Sequence, residues 1–330
     1  MNDFLISVVV PCYNEAENIP VLINRLQHTL AAYSFEIILI NDGSTDTTQR
    51  EIEIASEFNM RISYLSFSRN FGHQAALKAG IDHARGECIV TLDADMQKPP
   101  EIIPEMITLW QKGNDIVTAI CNNEGQPRRI KRWTSAGYYR ILSWLAEYPI
   151  VAHGADFRLF DRKVANVIRG ISGQNLYLRG IFAWAGYTQT SVIYKEEKRS
   201  AGTTKYSVGK MMTLASNGIT SLSIKPLRMA LALGIGFAFL AFGYGIYAFS
   251  IVFLGMTIPG WASLVASIVF LSSIQLIILG VIGEYIGKIY REVSQRPAYL
   301  ISKTNMNLSQ DYQQVDKVIS IQTERRKVMT

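Results

Sequence analysis

From Ala230 through Gly283 the chain runs for 54 residues without one Asp, Glu, Lys, Arg or His. A helix on a water-soluble core needs a polar face, so this stretch does not belong to one. It is too long for a single membrane crossing and about right for two, because one crossing takes ~20 apolar residues. Gly255, Thr257, Pro259 and Gly260 punctuate its middle with turn formers. Two spans are therefore predicted, at 227–254 and 262–286. Lys225 and Arg228 precede the first, Lys288, Arg291 and Arg296 follow the second, and the connecting turn carries no Lys or Arg. The positive-inside rule then assigns both termini and the whole N-terminal part to the cytoplasm. No cleavable signal is expected, since the apolar run Phe4–Val10 is short for one and no basic residue precedes it.

The net charge of +6 is concentrated. Residues 285–330 carry eight Lys/Arg against four Asp/Glu, and residues 120–150 carry five against two. Beside a membrane, such charge reads as attraction to anionic headgroups. No RNA- or DNA-binding motif accompanies it, so no nucleic-acid partner is expected. Cys12, Cys88 and Cys121 lack metal or redox spacing and are expected to be buried, reduced thiols. His28, His73, His83 and His153 have no partner at ligand spacing and are expected to be solvated or structurally satisfied.

Residues 4–119 alternate short apolar runs with helical patterns. Leu5–Val10, Glu36–Ile40, Ile62–Phe67, Cys88–Leu92 and Asp115–Ala119 read as strands, with helices predicted at Asn18–Ala32, Asp46–Phe58, Gly72–Ala84 and Pro100–Lys112. This alternation predicts an α/β fold with a parallel sheet covered on both faces. Two further amphipathic segments, at about 128–148 and 206–223, combine apolar stripes with nearby basic or aromatic residues and are expected to lie in the membrane interface.

Open parallel sheets bind ligands beyond the carboxyl ends of their strands. Four successive ends here are polar: Pro11-Cys12-Tyr13-Asn14-Glu15, Asn41-Asp42-Gly43-Ser44, Ser68-Arg69-Asn70-Phe71-Gly72 and Asp93-Ala94-Asp95-Met96-Gln97. No GxGxxG follows the first strand, and GxxxxGK[ST], HExxH and GxSxG are absent, so dinucleotide, P-loop, zincin and hydrolase readings lose their support. Asp93, Asp95 and Gln97 offer hard oxygen ligands suited to Mg2+ or Mn2+ holding a diphosphate.

In that order, these motifs resemble those of the family 2, GT-A-fold glycosyltransferases, and more narrowly the polyprenyl-phosphate glycosyltransferases. Ala155-Asp156-Phe157-Arg158-Leu159, Gly202-Thr203-Thr204-Lys205-Tyr206, Lys225-Pro226-Leu227-Arg228, Gly283-Glu284-Tyr285-Ile286-Gly287-Lys288 and Arg296-Pro297 extend the resemblance to about residue 300. It implies a GT-A domain over 1–226, two transmembrane helices over 227–288 and a basic cytoplasmic tail over 289–330. It also implies that Pro11, Tyr13, Glu15 and Asp42 hold the donor nucleoside, and that Asp93, Asp95 and Gln97 hold metal and diphosphate. Asp156 would sit near sugar and acceptor, Arg199 and Lys205 near the phosphates, and Arg128 and Lys131 at the lipid phosphate. Two positions depart from the family pattern: Ala155 stands where Gly is more common, and Lys98 where Asp or Asn often follows the glutamine.

The implied reaction is inverting transfer of one sugar, glucose first and N-acetylglucosamine as alternative, from a UDP-sugar to undecaprenyl phosphate. The implied place is the cytoplasmic face of a bacterial inner membrane, with self-association suggested by the small residues of the spans. A phosphate monoester has its second pKa near ~6, so the acceptor is largely a dianion and needs little help from a base. Two other readings compete. A processive polysaccharide synthase is disfavoured by the lack of a Gln-x-x-Arg-Trp motif and by having only two spans. A non-catalytic scaffold or lipid translocator is disfavoured by the intact carboxylates.

Overall fold

The computed structural model describes residues 4–121, 154–171, 173, 177–195, 225–254, 260–294 and 296–307. The two amphipathic segments expected in the interface lie outside the described residues. Val8, Val9 and Val10 are buried on consecutive positions, as are Ile37, Ile38, Leu39 and Ile40. Side chains of a strand alternate between faces, so both faces of these strands must be covered. The elements in order are β1 (Leu5–Cys12), α1 (Ile19–Thr29), β2 (Ser34–Asn41), α2 (Thr48–Phe58), β3 (Ile62–Phe67), α3 (His73–His83) and β4 (Cys88–Thr91). A 3-10 turn (Pro100–Ile102), α4 (Ile103–Gln111) and β5 (Ile116–Cys121) follow. Beyond residue 153 come β6 (Gly154–Asp161), α5 (Arg162–Gly170), α6 (Leu178–Trp184) and β7 (Gln189–Tyr194), then α7 (Lys225–Phe253), α8 (Trp261–Val293) and β8 (Ile301–Thr304).

The sheet order is β7-β5-β6-β4-β1-β2-β3-β8. The strands expected from the sequence are parallel: β1 to β2 and to β4, and β2 to β3. β6 enters antiparallel between β4 and β5, and β8 closes the other edge antiparallel to β3. The sheet is therefore mixed with a parallel majority. Val8 and Val10 pack into one core layer with Leu22, Leu26 and Met106, while Val9 packs into the other with Ile38, Leu77 and Ile81. Gly80 brings α3 close to the sheet, since a Cβ there would lie 2.2 Å from Val9 Cγ1.

The two segments expected to span are long helices, α7 and α8, of 29 and 33 residues. At ~1.5 Å per residue each exceeds the ~30 Å hydrocarbon thickness. Their most apolar stretches, Leu227–Tyr247 and Phe270–Val293, have 6% and 0% of residues buried, so they are not core helices of the α/β domain. The rings of Phe237 and Phe270 meet edge to face, with centroids 6.1 Å apart.

Part of the basic tail expected over 289–330 is built into the fold. α8 continues to Val293, and the chain then returns to the α/β domain. The Ser68 amide donates to the Leu300 carbonyl at 3.0 Å, and the Tyr64 amide to Asn305 Oδ1 at 2.8 Å. Tyr299 stacks on Phe67 at 5.2 Å between centroids, and its hydroxyl reaches Asp82 at 3.0 Å. Residues after 307 lie outside the described ones.

Candidate active site

The carboxyl ends of β1, β2, β3 and β4 lie at one edge of the sheet because these strands are parallel. β6 runs the other way, so it begins where those strands finish and brings Asp156, near its start, to the same edge. The Thr91 hydroxyl at the end of β4 donates to the Asp156 carbonyl at 2.6 Å.

The first two strand-end loops are tied together. The Asn14 amide donates to Ser44 Oγ at 3.0 Å, while Asn14 Oδ1 accepts from the Thr45 amide at 2.8 Å. The Glu15 amide donates to Thr48 Oγ1 at 2.9 Å, and Glu15 Oε2 accepts from Asn18. Asn14 has φ 54°, a left-handed conformation that Asn tolerates better than most residues. Tyr13 stands partly exposed above this loop, while Cys12 beneath it is buried, and burial pushes the Cys12 thiol pKa well up. Cys88 is also buried, whereas Cys121 is only half-buried.

Asp42, expected at the nucleoside, is 3% exposed. Its Oδ1 accepts from the Phe71 amide at 2.7 Å, and its Oδ2 from the Gly72 amide at 3.0 Å. Burial raises its pKa, and those two bonds only partly oppose this. Asp42 thus braces the 68–72 loop, and any contact it makes with a nucleoside comes from a carboxylate already fixed by that loop. Gly43 beside it has φ 65°, and a Cβ there would lie 2.4 Å from the Arg69 carbonyl carbon. Gly43→Ala is expected to destabilise the protein by at least ~1–3 kcal/mol, read as a lower melting temperature.

The third and fourth ends carry the charge. Asp93 Oδ1 meets His73 Nε2 at 2.8 Å, and Oδ2 forms an ion pair with Lys98 Nζ. Burial disfavours the Asp93 anion, but Lys98 and His73 outweigh it and hold the carboxyl far below the usual range. The other His73 nitrogen, Nδ1, lies 3.9 Å from Asp156 Oδ2. Burial lowers the His73 pKa, and the stronger influence of Asp93 raises it. Arg179 grips Asp156 bidentately, Nε to Oδ1 at 2.7 Å and an NH2 to Oδ2 at 2.8 Å. Despite burial, that guanidinium holds Asp156 below the ordinary carboxylate range. Gln74 accepts the Leu178 amide at 3.0 Å, joining the start of α3 to the helix that bears Arg179. Arg158, 5% exposed, lies over the Phe182 ring at 4.7 Å, and burial lowers its pKa to about 10.

Lys98, Asp93, His73, Asp156 and Arg179 thus form one chain of alternating basic side chains and carboxylates across the edge of the sheet. His73 is structurally satisfied, and the groups that satisfy it are the carboxylates of Asp93 and Asp156. Arg179 belongs to none of the sequence motifs. His73 carried one usable signal, because it opens a helix immediately after a polar strand end. Nothing local marked Arg179. Arg128, Lys131, Arg199 and Lys205 lie outside the described residues.

The description of glycosyl transferase family 2 fits residues 7–182, more than half of the chain and the full set of strand ends just described. The chain belongs to glycosyl transferase family 2. A second match, to the GtrB C-terminal hairpin, covers residues 225–289, so this glycosyltransferase joins a GT-A-like domain to a membrane-associated hairpin. It is 40% identical to an uncharacterized glycosyltransferase, sll0501, of Synechocystis over 90% of this chain and 94% of the relative. It is 42% identical to the uncharacterized glycosyltransferase YkcC of Bacillus subtilis over 90% and 93%. It is 40% identical to the prophage-derived bactoprenol glucosyl transferase of Shigella flexneri over 91% and 98%.

The donor set of this glycosyltransferase fits a divalent cation shared with a substrate. Met96, buried and at φ 61°, turns the loop between Asp95 and Gln97, and Asp95 Oδ1 closes the turn by accepting the Gln97 amide at 3.2 Å. Among the described residues no group of three or more His, Cys, Asp or Glu forms a cage. Hard oxygens from one or two carboxylates and an amide suit Mg2+ or Mn2+, which keep positions for phosphate oxygens and water.

Proposed function

We propose that this enzyme transfers one glucose from UDP-glucose to a polyprenyl phosphate, undecaprenyl phosphate in bacteria, at the cytoplasmic face of the membrane. The observation that carries the reading is the match to the bactoprenol glucosyl transferase of Shigella flexneri over 91% of this chain, catalytic domain and hairpin together. In this reading Pro11, Tyr13 and Glu15 form the nucleoside pocket, with Asp42 fixing its wall. Asp95 and Gln97, with Asp93 alongside, would hold a divalent cation, which would supply neutralising charge for the diphosphate. Arg199 and Lys205 are proposed to add to that charge, and Arg128 and Lys131 to hold the acceptor phosphate.

The transfer is a single in-line displacement with inversion. A phosphate oxygen of the acceptor forms a bond to the sugar C1, and the C1–O bond to UDP breaks with its electron pair leaving on UDP. Asp156 orients sugar and acceptor and is not the base, for two reasons. Its oxygens are both engaged by Arg179, and a carboxylate held below its usual range is a weak proton acceptor. His73 keeps Asp93 and Asp156 in register.

The rate should fall on acidification near pH ~6, where the acceptor phosphate gains its second proton. Asp156 has a lowered pKa, so it stays ionised through that window and protonates only below the ordinary carboxylate range. The acidic limb of kcat/KM is therefore expected to persist in Asp156→Asn, and its loss there would make Asp156 a true base. The reading itself is tested with purified protein in lipid nanodiscs, undecaprenyl phosphate and a panel of UDP-sugars. Lipid-dependent UDP release is expected, fastest with UDP-glucose. No release with any nucleotide sugar would favour a non-catalytic scaffold, and a preference for UDP-N-acetylglucosamine would change the sugar.

A further inference from the structure

Resting on that reading, we infer that Arg158 is a phosphate-binding residue, a buried guanidinium whose charge is met by the phosphoryl group of the acceptor. Arg158 lies on β6 between Thr91 of β4 and Thr118 of β5, two positions beyond Asp156 and on the same face of the strand. It is 5% exposed. Its guanidinium lies over the Phe182 ring, and among the described residues its Nε finds no hydrogen-bond partner. The carboxylate whose charge reaches it is Asp156, and both oxygens of Asp156 are held by Arg179. Two guanidiniums therefore share one carboxylate, and one positive charge is left over.

A charge placed so deeply without a partner is costly to the fold, because little water is there to solvate it. Asp93, Lys98 and Asp156 each meet an opposite charge. What Arg158 lacks is an anion. A guanidinium presents its N–H donors in a planar fork that suits phosphate oxygens. Phe182 fixes the plane of that fork beforehand, so little ordering remains to be done when a ligand arrives. Of the two phosphate groups in the reaction, the donor diphosphate belongs at the turn of Asp95 and Gln97. His73 stands between Asp93 and Asp156, so the acceptor phosphate is the anion left for the Asp156 side. There Arg158 would add to Arg128 and Lys131. In a site with little water, its charge opposes the repulsion between the acceptor and the departing diphosphate.

The test is binding of farnesyl phosphate and of farnesol to the full-length protein in lipid nanodiscs, by calorimetry with empty nanodiscs as the blank. The two probes share a prenyl chain and differ in the phosphate. Arg158→Met is expected to weaken farnesyl phosphate binding by about tenfold to a hundredfold, the scale of one hydrogen bond to a charged group. Farnesol binding should stay near the wild-type value. Arg158→Lys, which keeps the charge and loses the fork, should recover part of the difference. If Arg158→Met does not fold, Arg158→Gln carries the same expectation, because its amide can still donate without a charge. In turnover, the neutral variants should show a raised KM for undecaprenyl phosphate and an unchanged KM for UDP-glucose. Unchanged farnesyl phosphate binding, or equal weakening of both probes, would make Arg158 a packing residue over Phe182 and overturn the inference. So would weaker UDP binding with farnesyl phosphate unaffected, which would put Arg158 at the donor. Failure of the glycosyl-transfer reading looks different: Arg158 would still separate the two probes, but no nucleotide sugar would yield UDP.

Discussion

Asp95→Asn is expected to lower kcat by about 10³-fold with saturating donor and metal, whereas Asp156→Asn should lose only about tenfold to a hundredfold. The asymmetry follows from what each carboxylate meets. Asp95 lies on the turn closed by its own bond to the Gln97 amide, beside the proposed diphosphate position, so its charge acts on the leaving group. An amide there keeps the shape of the turn and removes the anion. Asp156 works through position. Asparagine can keep one of the two bonds to Arg179, at 2.7 and 2.8 Å in the native pair, and so retains part of the orientation. Single-turnover rates at saturating Mn2+ separate the two, because they report the chemical step without product release. Equal losses in both variants would mean that Asp156 does chemistry and not only positioning.

Tyr299→Ala is expected to cost about 3–5 kcal/mol of stability, the usual range for deleting a buried aromatic side chain. Tyr299 is 5% exposed, stacks on Phe67 at an interplanar angle of 14°, and hydrogen-bonds Asp82. Tyr299→Phe keeps the stack and loses only the hydroxyl bond, a loss of ~1 kcal/mol. Thermal unfolding followed by tryptophan fluorescence in nanodiscs should therefore rank wild type, Phe and Ala in that order. The effect should also reach the catalytic edge. Phe67 meets Phe71 edge to face at 5.6 Å, and the Phe71 amide is one of the two donors to Asp42. Well below its melting temperature, Tyr299→Ala should thus show a raised KM for the UDP-sugar, while Tyr299→Phe should not.

β1 to β5 and the helices between them were legible because their residues announce themselves locally. Val8–Val10 and Ile37–Ile40 are apolar on both faces, and each run ends in polar turn residues. β6 was legible as a motif but not as a strand. Asp156 and Arg158 place two charges on one face of a strand lying between β4 and β5, and the pattern makes sense only once Arg179 and Phe182 from α6 meet them. β8 was hidden for another reason. Ile301–Thr304 is four residues long and has no alternation of its own, and it becomes a strand because the β3 edge offers it unpaired backbone groups. His73 and Asp93 are twenty residues apart in sequence, and only the passage of α3 over the sheet brings them together. The hairpin needed no partner to be read. Its evidence is an absence of charge, which is local by nature.

The return of the chain at β8 has a mechanical consequence. A domain hung from one link swivels freely about it, but this one is joined to its hairpin twice, leaving at Lys225 and coming back by Tyr299. Two attachments define an axis and remove most of the rotational search. The proposed lipid acceptor would diffuse in two dimensions and offer its phosphate at one fixed depth. An enzyme with few ways to face that plane converts more of its lateral encounters into productive ones, whatever its affinity for the lipid.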